Sequence, residues 1–240
     1  MSMQALSEFD RISNVITELH HSFWRGSAAA WFAGFGTLVL AFVAVFQEWL
    51  KRLFVRPRLQ SKAMVSRPDC HKTKFSMGAD VYYFRLRIEN TGNDAARDLH
   101  VYLASVDRQR ADKQYEAVKR FTPMSLKWAI LDQPTLPVLL ASMPPRFCNL
   151  GHVTDPKQRR SVAKDLTELR EDSPVLALEL EAIPNNRGHL LEPGIYKFGL
   201  KLAASNHPVR HYDLEVDFKG IWLDDEDQML RDGFGMRPVD

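Results

Sequence analysis

Phe84–Leu103, FRLRIENTGNDAARDLHVYL, sets the period on which most of the chain is built. Phe84, Leu86 and Ile88 alternate with Arg85, Arg87 and Glu89; further on, Leu99, Val101 and Leu103 alternate with His100, Tyr102 and Ala104. A period of two puts each apolar set on one side of a pleated strand, so the stretch predicts two half-buried strands. Between them, Asn90-Thr91-Gly92-Asn93-Asp94 is made of residues that tolerate left-handed backbone and bond their own main chain, which reads as a turn.

The same pattern continues toward the C-terminus. Leu176, Leu178 and Leu180 oppose Glu179 and Glu181; Tyr196, Phe198, Leu200 and Leu202 oppose Lys197 and Lys201; Tyr212, Leu214, Val216 and Phe218 oppose Asp213, Glu215 and Asp217. Lysines on one strand and acids on the next suit antiparallel neighbours joined by Ser205-Asn206-His207-Pro208, because opposite charges across a pair are mildly stabilising. Shorter alternations predict strands at 59–66, 124–130 and 146–153. The tail Leu223–Arg231 has acids at its start and Arg231 at its end, the arrangement a helix dipole favours, and reads as a closing helix.

The pieces RLRIENTGNDAARDLHVYL (85–103) and LEPGIYKFGLKL (191–202) resemble the corresponding parts of the immunoglobulin-like and fibronectin-like β-sandwich domains of many bacterial proteins. That resemblance implies an antiparallel sandwich and says little about function, since such domains share architecture more than activity. The segments 107–123, 131–145 and 154–173 have no place in a minimal sandwich and read as long inserted connections. The expected fold class is therefore mainly β: an immunoglobulin-like sandwich over 57–221 with long loops, closed by a helix and tail over 222–240.

Upstream the period is different. Ala28–Phe46, AAAWFAGFGTLVLAFVAVF, carries no charge, and at 1.5 Å per residue it extends about 28 Å, near the thickness of a bilayer's hydrocarbon core. A membrane-spanning helix is expected over 28–49, with Trp31 and Trp49 at headgroup level and a basic juxtamembrane segment over 50–56. Arg56-Pro57-Arg58 stops the helix. Before the span, residues 1–27 hold Phe9, Ile12, Ile16, Leu19 and Phe23 at spacings of three and four, an amphipathic helix whose apolar stripe must meet the membrane surface or a copy of itself; a bend at Gly26-Ser27 would let it lie in the interface. This polar leader is unlike a cleavable export signal. Six flanking Lys and Arg follow the span (Lys51, Arg52, Arg56, Arg58, Lys62, Arg67) against Arg11 and Arg25 before it. The excess orients the C-terminal domain toward the cytoplasm across the cell (inner) membrane, with the N-terminus outside.

Candidate contacts follow from these elements. Gly26, Ala30 and Gly34 recur every four residues, with Thr37 and Ala41 on a neighbouring track, and small residues at that spacing let two helices approach closely in lipid; Leu38 is placed off this track. Arg108, Arg110, Lys113, Lys119 and Arg120 in one connection, Lys157, Arg159, Arg160, Lys164 and Arg170 in another, and Lys72 and Lys74 in a loop over 67–79 form basic clusters suited to a phosphate-rich ligand, at the end away from the membrane if strands alternate in direction. The formal net charge of +2 points to no global affinity for nucleic acid. Cys70 and Cys148 are expected to be free thiols. Cys148 and His152, four residues apart on one strand face, are the one nucleophile–base pairing to weigh, and they lack an orienting acid. No metal or cofactor set is apparent. The expectation is a non-enzymatic anchored module whose partners are the bilayer, a protein and further copies of itself; the alternative is a membrane effector gated by a nucleotide or nucleic acid.

Overall fold

The computed structural model describes residues 3–75, 78–158 and 173–239, and the chain divides at Phe54–Val55 into two units. The first is one helix, α1 (Met3–Phe54), unbroken for 52 residues. It runs through Gly26 and Ser27, where the sequence reading puts a bend. A single glycine costs a helix about 1 kcal/mol relative to alanine, which an otherwise strong helical run absorbs. The side chains of Phe9, Ile12, Ile16, Leu19 and Phe23 lie outside the described part of the structure. Within α1, Gly26–Gln47 is long and apolar enough to cross a membrane, and none of it is buried within the chain.

The second unit is two antiparallel sheets, as the alternation requires. One joins β1 (Leu59–Ala63), β3 (Asp80–Asn90), β8 (Arg146–Thr154), β9 (Leu176–Leu178) and β10 (Leu190–Leu191) in that order, with β2 (His71–Lys74) also on β3. The other runs β13 (Phe234–Val239), β12 (His207–Phe218), β11 (Gly194–Ala204), β4 (Ala96–Gln109) and β5 (Tyr115–Ala117), with β6 (Met124–Ser125) and β7 (Thr135–Leu139) also on β4. Phe84, Leu86, Ile88, Leu99, Val101 and Leu103 are all buried where the two sheets face each other. Each such side chain contributes about 1.5–3 kcal/mol by leaving water. Phe84 of one sheet stacks on Phe234 of the other, ring centroids 3.6 Å apart. β11 and β12 form the expected hairpin, and Lys197 reaches Asp213 across it at 2.7 Å.

Three expectations change. The connections 107–123 and 131–145 are not simple loops: they contain β5 and β7, which, with β6 of the expected 124–130 strand between them, pair in succession along one edge of the long strand β4. The register of β7 passes over Asp98 and Pro137, with Asp98 at φ 49°, so a proline without an amide proton sits where the ladder makes no demand of it. The segment 67–79 likewise contains β2. Lastly, the closing helix shrinks to one turn, Glu226–Gln228, capped by the Asp225 carboxylate accepting from the Gln228 amide at 2.8 Å. A π-helical turn, Met229–Gly233, then leads into β13, an edge strand on which Pro238 is tolerated.

The turn after β3 grips the stem, residues 55–58, that leads into β1. Asn90 is buried and uses all its hydrogen-bonding capacity: its Oδ1 accepts from the amides of Arg58 (3.1 Å) and Gly92 (3.1 Å), and its Nδ2 donates to the carbonyls of Asp94 (2.7 Å) and Leu139 (3.0 Å). Thr91 N donates to Arg58 O at 2.8 Å, and Arg56 N donates to Asn93 Oδ1 at 3.0 Å. The two backbones approach so closely that a Cβ on Gly92 would lie 2.4 Å from Arg56 O and 2.5 Å from Arg58 N. Gly92→Ala is therefore expected to destabilise the second unit by about 1–3 kcal/mol, lowering the melting temperature of the full chain in detergent by about 2–4 °C per kcal/mol. An unchanged melt would show that the stem swings clear at no cost.

Candidate functional site

Strand directions define two ends of the sandwich. The stem end collects Val55–Arg58, the 90–96 turn, the 140–145 connection and the Ser205-Asn206 turn, because Leu59 opposes Asn90, Arg146 opposes Ile88 and Ala204 opposes His207. The far end collects the 75–79 and 110–114 connections and the chain after Thr154, which opposes Val81.

At the far end the sequence-predicted cations are largely engaged. Arg108 Nη1 lies 3.2 Å from Glu192, Arg110 lies 3.8 Å from Glu116, and Lys72 and Lys74 lie 3.2 and 3.9 Å from Asp80. Lys113 and Lys157 are exposed there. Lys119 and Arg120 do not join them: the chain turns back at Val118, whose amide bonds Val106 O, and Arg120 O accepts from Asn186 Nδ2 at 2.9 Å. Arg159 and Arg160, with Lys164 and Arg170, lie outside the described residues.

The stem end holds a site that local sequence does not announce. A cleft of about 300 Å³ opens between the stem and the β11–β12 hairpin, and Arg56, Arg58, His207, Val209 and Arg210 line it. Both walls are pinned. Asn90 and Asn93 hold the stem; on the other side Asn206 accepts from Arg97 N (3.1 Å) and donates to Ala95 O (2.8 Å), while Ser205 N bonds Arg97 O (2.9 Å). Tyr212 OH donates to Leu59 O at 3.2 Å and links the two walls.

Along α1 the small residues form an open groove of about 380 Å³ lined by Ser27, Ala30, Trp31, Gly34, Phe35 and Leu38. Leu38 therefore lies on the Gly26–Ala30–Gly34 face and not off it, as four residues per step along a helix require. A Cβ on Gly26 or Gly34 would meet nothing within 4 Å. Thr37 Oγ1 donates to Ala33 O at 2.8 Å, which satisfies its hydroxyl within the helix; Ala41, seven residues from Gly34, continues the face by period.

Cys148 and His152 do not share a face. In the β3–β8 ladder Phe84 opposes Gly151 and Arg85 opposes Asn149, so Leu150 is an extra residue. This bulge sends Cys148 into the core and His152 to the opposite face of the sheet, where it is largely covered: its Nδ1 lies 2.7 Å from Glu179 and Phe75 packs on its ring edge-on. Both cysteines are free and buried. Burial pushes the Cys70 thiol up to about 12 and that of Cys148 up as well, which starves both of nucleophilic thiolate. Neither should react with iodoacetamide at mildly alkaline pH in the native full chain, and both should react once denaturant is added. Native-state alkylation of Cys148, read by mass spectrometry, would contradict this.

Comparison with protein-family models, with curated proteins and with solved structures finds no match to this chain.

Proposed function

We propose that the chain is a single-pass, membrane-anchored interaction module without enzymatic activity. Gly26–Gln47 crosses the cell (inner) membrane, the immunoglobulin-like C-terminal unit faces the cytoplasm and binds a protein partner, and the helix assembles copies of the chain. The observation that carries this reading is the apolar helix itself, exposed along its whole spanning length and bearing an open groove beside Gly34. In lipid, where tails are as apolar as leucine, such a groove offers close backbone packing as the drive for association. The basic flank after the span supplies the orientation.

A nucleotide-gated version needs free cations at the far end, and Arg108 and Arg110 already face Glu192 and Glu116. Cys148 and His152 lie on different faces of their strand, which removes the hydrolase that would have used that pair.

Two glycines give an internally controlled test. Gly34 lies in the groove, whereas Gly36 is about 200° around the helix, and neither has a neighbour within 4 Å of an added Cβ. Gly34→Leu should reduce cross-linked oligomer of the full chain several-fold in membranes, and Gly36→Leu should leave it unchanged. Equal oligomer in both variants and wild type would remove the helix from assembly. For orientation, Gln114→Cys in intact cells should resist a membrane-impermeant maleimide until the cells are opened; labelling from outside would reverse the topology.

A further inference from the structure

We propose that the stem-end cleft binds the phosphate groups of anionic lipid headgroups, so that the sandwich docks on the leaflet through the end at which its stem arrives. The inference rests on the anchor reading above. Basic residues after a spanning helix occur for topological reasons alone, and Arg56 and Arg58 taken singly say no more than that. Arg210 and His207 belong to a different part of the chain, the start of β12, and the fold brings them to the same cleft. Among the described residues Arg56, Arg58 and Arg210 have no carboxylate partner, and no carboxylate lines the cleft. Nearby acids are otherwise occupied: Glu89 holds Lys62 at 2.7 Å, Asp213 holds Lys197 at 2.7 Å, and Asp94 accepts from Ala95 N at 2.8 Å; Asp98 is exposed on β4 beyond them. Because hydrogen bonds pin both walls, the guanidinium-bearing backbone needs no ordering when an anion arrives.

The apolar surface of this end argues for a lipid source of that phosphate. Val209 is 52% exposed, Leu140 50%, Met143 48% and Val138 46%. Single exposed apolar side chains are ordinary, but here they accompany the unpaired arginines at one end of the sandwich. Cations at phosphate depth with aliphatic side chains reaching the acyl boundary are the combination that binds a bilayer interface. Tethering supplies the rest. Each arginine near an anionic surface contributes about fivefold in affinity, the equivalent of about 1 kcal/mol, too little to capture a dilute free anion. It suffices where the spanning helix, which ends at Phe54, holds headgroups at high effective concentration.

The test uses the full chain in nanodiscs of phosphatidylcholine alone or of a mixture rich in phosphatidylglycerol, read by amide hydrogen exchange over 55–60 and 205–211. Phosphatidylglycerol should slow exchange in both segments, and more salt should reverse the effect. Arg58→Gln and Arg210→Gln should each lose about fivefold of that protection while keeping the wild-type melting temperature, and Lys113→Gln at the far end should lose none. Equal protection in both lipids overturns the proposal. Protection restored in phosphatidylcholine discs by inorganic phosphate also overturns it, in favour of a free anion. A chain that fails to enter nanodiscs at all overturns the anchor, and this inference with it.

Discussion

A single buried side-chain amide, that of Asn90, fixes how the chain passes into its sandwich. Two donors and two acceptor sites are available on it, and they meet the stem at Arg58, the turn at Gly92 and Asp94, and the opposite sheet at Leu139. Leaving such partners unpaired in the interior costs about 1–3 kcal/mol each. The stem is therefore part of the folded unit and not a loose linker, and the two sheets are tied at the end where it arrives. The close approach at Gly92 follows from the same geometry, since a side chain there would separate the strands of backbone that Asn90 holds together.

Long strands with one buried face were legible because period two survives over their whole length, as in Phe84–Ile88, Tyr196–Leu202 and Tyr212–Phe218. The short edge strands were not. β5 and β7 owe their existence to the unpaired edge of β4, and β13 carries Gly235 and Pro238, so local propensity is silent or adverse while the partner decides; β6 alone of these edge pieces falls within an expected strand, 124–130. The misplacement of Cys148 relative to His152 has another cause: one extra residue at Leu150 inverts the side-chain pattern beyond it, and counting by twos cannot detect a bulge. In α1 the apolar run was plain, while Leu38 belonged to the groove on helical spacing alone.

The candidate sites divide along the same line. Clusters of cations were visible as sequence, but their partners were not, because Glu192, Glu116 and Asp80 reach Arg108, Arg110 and Lys72 across strands. Conversely, the stem-end cleft needs Arg210 beside Arg58, a juxtaposition created by the hairpin's place in the second sheet. Among the described residues, mostly paired cations at one end and unpaired ones beside exposed aliphatic side chains at the other give the sandwich a polarity that its near-neutral total charge conceals.

Contact of the stem end with lipid is open to direct measurement. Methyl-labelled methionines report on it directly: Met143 lies exposed in the 140–145 connection at the stem end, and Met229 lies buried in the turn that precedes β13 at the far end. In nanodiscs containing a headgroup-nitroxide lipid, strong paramagnetic broadening is expected for the Met143 methyl signal and little or none for Met229. Broadening of Met229 alone, or of neither, would contradict it.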